Sequence, residues 1–302
     1  MMQLILGLRY TSLLAGLALI AQTAHAQEFS KPDMGKLTAT GGVSSVEGAG
    51  GGGITPWALI TGYGSRDSYG GNAHATRIST QDYGLTSYGV AVGVADRVEF
   101  SLANQEFTGS LAPLNALKIR QDIVGIKVKV AGDAVYDQGS WMPQVAIGAM
   151  YKRNNGIAGL EALGVTNVKQ LGASDDHGID YYASATKILL DQSLLLNGTV
   201  RLTKANQMGI LGFGGDKKDS YQAMFEGSAA YLINRKLVAG IEYRMKPNNL
   251  NVDNEKAYYD AFVAWFPTKN VSVTAAYARL GDITIFNPKD QHGWYLSLQT
   301  GF

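Results

Sequence analysis

The last ten residues of the chain, 293–302, alternate regularly between two kinds of side chain. The larger, mostly apolar ones stand at every second position: Trp294, Leu296, Leu298, Thr300 and Phe302. The smaller or more polar ones lie between them: Tyr295, Ser297, Gln299 and Gly301. Successive side chains of a strand point to opposite faces, so this pattern predicts a β-strand with one apolar and one polar face. Such a strand could close a soluble sandwich or face lipid in a membrane barrel.

Eleven further stretches show strand-like patterning. They are residues 57–64, 83–95, 97–108, 119–131, 141–152, 179–190, 193–205, 221–233, 237–245, 257–266 and 271–280. The connections between them alternate in length. The short ones are residue 96 and residues 132–140, 191–192, 234–236 and 267–270; the long ones are 65–82, 109–118, 153–178, 206–220, 246–256 and 281–292. Short turns on one side and long loops on the other are typical of outer-membrane barrels. The predicted fold is therefore all-β, a transmembrane antiparallel up-and-down barrel of about twelve strands.

The strand faces predict which side chains line the interior. In residues 194–202 the apolar set alternates with Asn197, Thr199 and Arg201, and a lipid-embedded barrel turns its apolar face outward. By the same parity, eight charged residues are predicted to line the lumen: Glu99, Lys127, Lys129, Arg201, Glu226, Glu242, Arg244 and Asp260. Four acids and four bases could form a salt-bridge network that closes a narrow barrel. They could equally line a constriction for small polar or zwitterionic solutes, without strong selectivity for anions or cations.

The composition excludes some classes of protein, and the first 26 residues predict an export signal. The 302 residues include 37 Gly, 16 Tyr and no Cys, which argues against a disulfide-stapled domain. Residues 1–26 have the form of a cleaved signal peptide, with Arg9, an apolar core at 13–21 and the cleavage site Ala24-His25-Ala26. Cleavage there leaves equal numbers of acidic and basic residues, so charge gives no case for a nucleic-acid partner.

Residues 41–53 form a glycine-rich block that includes Gly48, Gly50, Gly51, Gly52 and Gly53. The block matches G-x-G-x-x-G, but no helix is predicted to follow it, so it is not interpreted as a dinucleotide site. It is either a flexible linker or a plug in the barrel mouth, where glycine permits close approach of the backbone. The predicted organisation is a signal peptide (1–26), a periplasmic or luminal segment (27–56) and the barrel (57–302).

Catalytic and metal-binding chemistry is not predicted. The three histidines of the mature chain, His74, His177 and His292, fall in predicted outer loops, and none is followed two residues later by the serine of a barrel phospholipase. Residues 175–177, or Asp253 with Glu255, could bind a divalent cation, but solvated loop charges are the commoner case. No cofactor, metal or enzyme activity is therefore predicted.

The chain resembles a family of Gram-negative outer-membrane β-barrel proteins known as a domain of unknown function. The resemblance depends on Gly41-Gly42-Val43 through residues 47–52, on Pro56-Trp57-Ala58-Leu59-Ile60 with Gly62-Tyr63-Gly64, and on residues 121–127. It covers most of the mature chain. The family implies an outer-membrane location and a barrel fold, and it implies no reaction.

The predicted function is a passive channel for small polar or zwitterionic solutes in the outer membrane of a Gram-negative bacterium. The alternative is a non-conducting structural or adhesive barrel that acts through its extracellular loops. Expected partners are outer-membrane lipids, small solutes and the barrel assembly machinery. Four residues of the last strand are the predicted assembly signal: Phe302, Leu298, Leu296 and Trp294.

Overall fold

The computed structural model describes residues 35–41, 43–110, 114–285 and 287–302. The predicted signal peptide lies outside the described residues, as do residues 27–34 of the predicted lead-in and Gly42 of the glycine-rich block.

Twelve antiparallel strands form a closed barrel, in which each strand pairs with its neighbours in sequence and the last pairs with the first. The strands are β1 (Tyr69–Thr80), β2 (Tyr83–Val94), β3 (Val98–Gly109), β4 (Lys118–Ala131), β5 (Gln144–Ala158), β6 (His177–Leu189), β7 (Leu194–Thr203), β8 (Gln222–Asn234), β9 (Leu237–Arg244), β10 (Tyr258–Thr268), β11 (Val271–Gly281) and β12 (Gln291–Gly301). Short 3-10 helices lie in the connections: Leu114–Ala116, Glu161–Leu163, Val168–Leu171 and Asn206–Gly209. The predicted fold class is confirmed.

Within the described ranges, none of the helices has the length and apolar character needed to cross a membrane.

The two faces of the strands differ as their sequences predict. Leu296 and Leu298 of β12 are 56% and 57% exposed, whereas Ser297 and Gln299 beside them are 0% and 3% exposed. The burial patterns of β4 and β10 alternate in the same way. An apolar outer surface around a polar interior is the arrangement of a barrel that lies in lipid. The chain is therefore an outer-membrane β-barrel.

The prediction of a first strand at residues 57–64 is wrong, because these residues lie inside the barrel. Trp57 is 3% exposed, and its ring N–H donates to Ser228 Oγ at 2.9 Å. The first strand is β1 (Tyr69–Thr80), within the predicted loop 65–82, and it pairs with β12 at Ala75 opposite Leu298. The outward side chains of β1 are mostly small or polar, so its hydropathy pattern is weak.

Most connections keep the predicted alternation of length, which defines a turn end and a loop end of the barrel. Two connections differ from it. The β1–β2 connection at the loop end is reduced to Gln81 and Asp82, and the β4–β5 connection at the turn end extends over residues 132–143.

The lipid face of β12 gives a depth-dependent prediction. We expect Leu298→Arg to lower the free energy of unfolding by about 2–4 kcal/mol, because the guanidinium would lie within the apolar band. Thr300→Arg, on the same face but nearer the turn end, is expected to cost about 0–1 kcal/mol. Urea titration of the barrel in lipid vesicles, followed by tryptophan fluorescence, measures both. Equal losses of unfolding free energy in the two variants would contradict the placement of Leu298 within the apolar band and of Thr300 near its edge.

Candidate functional site

Residues 43–64, here called the inner segment, lie inside the barrel and fill its lumen. The segment is anchored at the turn end, where the Tyr63 N–H donates to the Phe302 carbonyl at 2.8 Å. It reaches the loop end at Ile54, which lines a small apolar cavity together with Met208 and Leu211. Nearly every described residue between these points is buried. The five glycines predicted as a candidate plug, Gly48, Gly50, Gly51, Gly52 and Gly53, belong to this segment.

Two of these glycines lie where a side chain would not fit. A Cβ atom on Gly51 would be 2.4 Å from the Thr55 carbonyl oxygen, and one on Gly52 would be 1.9 Å from Glu242 Oε1. Contacts this short are not tolerated, so glycine allows the segment to fold on itself and to approach the wall closely.

A central ion cluster joins the inner segment to the wall through Glu47. Arg244 donates from Nη1 to Glu47 Oε2 at 2.7 Å and from Nη2 to Glu47 Oε1 at 3.1 Å. Arg201 Nη2 lies 3.3 Å from Glu47 Oε2, and Lys152 Nζ forms an ion pair with Glu47 Oε1. We call Lys152, Arg201 and Arg244 the basic triad. Its members lie on the inner faces of β5, β7 and β9.

Two acids of the wall hold the basic triad from the other side. Asp180 Oδ2 lies 2.6 Å from Lys152 Nζ and 3.2 Å from Arg201 Nη1. Glu226 forms an ion pair with Arg201, and its Oε1 lies 3.6 Å from Arg244 Nε. The cluster thus contains three acids and three bases, all at most 3% exposed. Charges buried so deeply require close partners of opposite sign, and each of these has them.

The central ion cluster is the first of three anchors that hold the inner segment to the wall. The second anchor is the ion pair between Glu99 and Lys127, at 3.0 Å. Glu99 also accepts hydrogen bonds from the N–H groups of Gly50 at 2.9 Å and Thr61 at 2.8 Å. Lys127 Nζ donates to the carbonyl oxygens of Gly50 at 2.8 Å and Trp57 at 3.1 Å. The wall therefore binds backbone groups on both arms of the inner segment.

A third anchor, at Glu242, is an acid without a cation. Glu242 accepts hydrogen bonds from the N–H groups of Gly53 at 2.6 Å and Ile54 at 3.0 Å, and from Thr55 Oγ1 at 2.6 Å. Asp260 lies directly opposite Glu242 on β10, is 6% exposed, and has an Oδ1 atom without a hydrogen-bond partner. Within the described ranges, no basic side chain forms an ion pair with either carboxylate. The Glu242–Asp260 pair thus makes this part of the wall acidic.

All eight charged residues predicted for the lumen are buried on inward positions. Seven of them belong to the three anchors, and Lys129 lies at the turn end, where it forms an ion pair with Asp96. Their role as channel-lining groups stays a prediction. Sequence reasoning missed Lys152 and Asp180. Parity with the outward Tyr151 and Tyr181 places both of these on the inner face, so the signal for them was present in the sequence.

The loop end is covered by the connections 204–221 and 245–257. Met208 and Leu250 are 6% and 0% exposed, and the Met208 carbonyl accepts a hydrogen bond from Lys152 Nζ at 3.2 Å. Burial and the adjacent Glu255 carboxylate raise the pKa of Asp253 to about 9. Lys246 Nζ forms an ion pair with Glu255 in the same cover, at 2.6 Å.

The acidic residues that the sequence offered as possible cation ligands bind other side chains in the structure. Asp253 accepts from the Gln207 side chain at 3.1 Å, while Asp176 lies 2.7 Å from the ring of His177. No group of three or more His, Cys, Asp or Glu residues suited to a metal ion occurs in the part of the chain that is described.

A serine and a histidine meet in the lumen, which the sequence did not predict. His74, placed in an outer loop by the sequence, lies on β1 and is 5% exposed, and its Nε2 is 3.2 Å from Ser87 Oγ. The Ser87 hydroxyl donates to the Val46 carbonyl at 2.7 Å, and His74 Nδ1 has no hydrogen-bond partner. No carboxylate from the described part of the chain orients the ring, and the pair faces the inner segment rather than lipid. The geometry is therefore unlike an activated nucleophile.

Three cavities of water size lie among the described residues of the barrel interior. Cavities beside Trp57, beside Ile54 and beside Lys36 have volumes of about 30, 40 and 20 Å³. Each has room for only a few water molecules. In this conformation the inner segment and the loop-end connections together close the barrel.

A family model described as "Protein of unknown function (DUF3034)" matches residues 40–299. No curated protein matches the chain.

Several solved barrels are similar to this one. The NanC porin is 12% identical with a TM-score of 0.49, over 76% of this chain and 98% of that chain. The KdgM porin is 9% identical with a TM-score of 0.47, over 76% and 99%. Outer membrane phospholipase A from Escherichia coli is 9% identical with a TM-score of 0.42, over 76% and 92%. These likenesses assign neither transport nor catalysis to the present chain.

Arg201 gives a test of the central cluster, because it contacts Glu47, Asp180 and Glu226. We expect Arg201→Met to lower the free energy of unfolding by about 3–5 kcal/mol, since removing one partner leaves buried charges uncompensated. The control is Arg120→Met, whose ion pair with Glu106 is exposed and is worth less than about 1 kcal/mol. Urea titration in lipid vesicles compares the variants. Similar losses for both would show that the central cluster does not stabilise the barrel.

Proposed function

The chain belongs to the DUF3034 family of proteins of unknown function, and from its lumen we propose that it is a passive outer-membrane channel for small polar or zwitterionic solutes. In this proposal the inner segment is a plug that closes the channel, and conduction requires the segment to move. Residues 1–26 direct export, and the barrel assembly machinery reads the last strand. Lipids cover the outer surface, and no catalytic step is assigned to the protein.

The single observation that carries the proposal is that a separate stretch of chain, rather than the wall's own side chains, fills the lumen. Small barrels fill their interior with side chains, and larger ones leave a channel. Here the wall is lined by charged and hydroxyl groups that would remain around an aqueous passage if the inner segment moved. The segment precedes β1 and belongs to no strand, so it can move without breaking the strand pairing.

The chemistry of the anchors supports a segment that can be released. Glu99 and Glu242 bind backbone N–H groups of the segment, and both groups can form hydrogen bonds with water once they separate. The net stability of such hydrogen bonds is only about 0.5–1.5 kcal/mol each, because water replaces the partner. Buried ion pairs are also often no more stabilising than well-packed apolar side chains of similar volume would be.

A structural or adhesive barrel is the second candidate, and the covered loop end favours it. The connections 204–221 and 245–257 fold over the lumen and bury Met208 and Leu250. A barrel that is closed at that end by its own loops, as well as by the inner segment, would pass no solute and would act only through the surface of its loops. The two candidates differ in whether solutes pass once the inner segment is displaced.

A substitution at Gly51 tests the channel in the full-length chain. We expect Gly51→Val to increase the swelling rate of liposomes in arabinose at least several-fold, because its side chain would collide with the backbone at Thr55 and Trp57 and loosen the inner segment. The matched control is Gly139→Val, since a Cβ at Gly139 has nothing within 4 Å. Heat-modifiable gel mobility confirms that both variants are folded.

Removal of residues 35–64 is the stronger version of the same experiment. The shortened barrel is expected to admit arabinose faster than either point variant. A folded barrel that lacks these residues and still excludes arabinose would overturn the channel and favour the structural barrel.

A further inference from the structure

We propose that the emptied lumen contains a binding site for a zwitterionic solute, whose carboxylate binds the basic triad and whose cationic group faces Glu242 and Asp260. This inference deepens the proposed function and rests on it. The closed conformation carries the argument, because the inner segment places matching groups of its own at both positions.

The inner segment already supplies a carboxylate to the basic triad. Glu47 is bound by Arg244 through two hydrogen bonds, at 2.7 and 3.1 Å, with Arg201 and Lys152 beside it. Bidentate pairing of a guanidinium with both oxygens is the usual way in which proteins recognise a carboxylate. The Glu47 side chain therefore occupies the position that we assign to the carboxylate of a solute.

The basic triad belongs entirely to the wall and would stay in place after Glu47 leaves. Asp180 holds Lys152 and Arg201, while Glu226 holds Arg201 and Arg244. Without Glu47, three bases would face two acids, which leaves one positive charge uncompensated inside the barrel. This net positive charge would attract an anionic group into the emptied lumen.

The acidic half of the site lies on the same strand. Glu242 and Arg244 are two residues apart on β9 and share its inner face, so their Cα atoms are about 7 Å apart. When the inner segment leaves, Glu242 loses its bonds to Gly53, Ile54 and Thr55 and keeps the one to Ser228, at 2.9 Å. Asp260 opposite is buried with one oxygen already unpaired. Two neighbouring carboxylates without a base form a site for a cation.

The peptide backbone at Ile54 shows this polarity directly. Its N–H donates to Glu242 at 3.0 Å, and its carbonyl oxygen accepts from Arg244 Nη1 at 2.9 Å. A hydrogen-bond donor of the inner segment thus faces Glu242 of the acidic pair, and an acceptor of the same residue faces Arg244 of the basic triad. A solute with an ammonium group and a carboxylate presents the same arrangement with full charges. A solute with only one of these groups satisfies only half of the site.

The test uses the barrel that lacks residues 35–64, with 4-aminobutyrate as the zwitterionic probe. Butyrate, butylamine and butyramide are matched probes that lack one or both charges. We measure the concentration of each probe that halves the potassium chloride current through single barrels in a planar bilayer. The expected half-blocking concentration is at least tenfold lower for 4-aminobutyrate than for each of the other three.

Variants assign the two halves of the site. Arg244→Gln, with Lys152→Gln as a second variant should the first not fold, is expected to weaken block by 4-aminobutyrate and butyrate about tenfold. Asp260→Asn is expected to weaken block by 4-aminobutyrate and butylamine only. Arg120→Gln removes an exposed base outside the lumen and should leave block by 4-aminobutyrate unchanged.

The outcomes separate this inference from the proposed function. A folded, shortened barrel without current overturns the channel, and this inference with it. A conducting barrel that all four probes block equally, or that butyrate blocks as well as 4-aminobutyrate does, overturns the zwitterion site and leaves the channel standing. Unchanged block in both the Arg244→Gln and the Asp260→Asn variants would likewise overturn the site.

Discussion

The arrangement of the interior depends on the charge balance between Glu47 and the basic triad. Lipid outside the barrel requires an apolar outer face, and strand alternation then turns the polar side chains inward. Lys152, Arg201 and Arg244 therefore meet in a space that water reaches poorly. Among the described residues of the wall, Asp180 and Glu226 are the acids that balance them. Glu47 completes the balance, and a carboxylate from a non-strand segment thus becomes part of the barrel's interior.

The glycine-rich block follows from the same constraint. A segment that brings a carboxylate into the lumen must also satisfy its own peptide groups there, because buried N–H and C=O groups require partners. Glu99, Lys127 and Glu242 provide these partners only if the backbone comes close to the wall. Side chains at Gly51 or Gly52 would prevent that approach. The low complexity of residues 43–53 therefore reflects close packing inside the barrel.

Local patterning was sufficient to predict eleven of the twelve wall strands but not the contents of the barrel. β12 could be predicted because its two faces differ sharply, and parity along β7 and β9 correctly turned Arg201, Glu242 and Arg244 inward. β1 was missed because its outward side chains are mostly small or polar, and residues 57–64 were mistaken for a strand because they are apolar enough to resemble one. Glu47 gave no local signal at all, since its partners are more than 100 residues away in the sequence.

Apolar and polar contacts both contribute to the free energy of opening the lumen. Val46, Ile54 and Trp57 belong to the buried apolar core, and their return to water would cost about 25 cal/mol for every Å² exposed. The anchors at Glu99 and Glu242 instead exchange protein hydrogen bonds for water, with a small net change for each. The central cluster is the exception, because one positive charge stays behind when Glu47 leaves. A solute carboxylate that neutralises this charge would lower the free energy of opening.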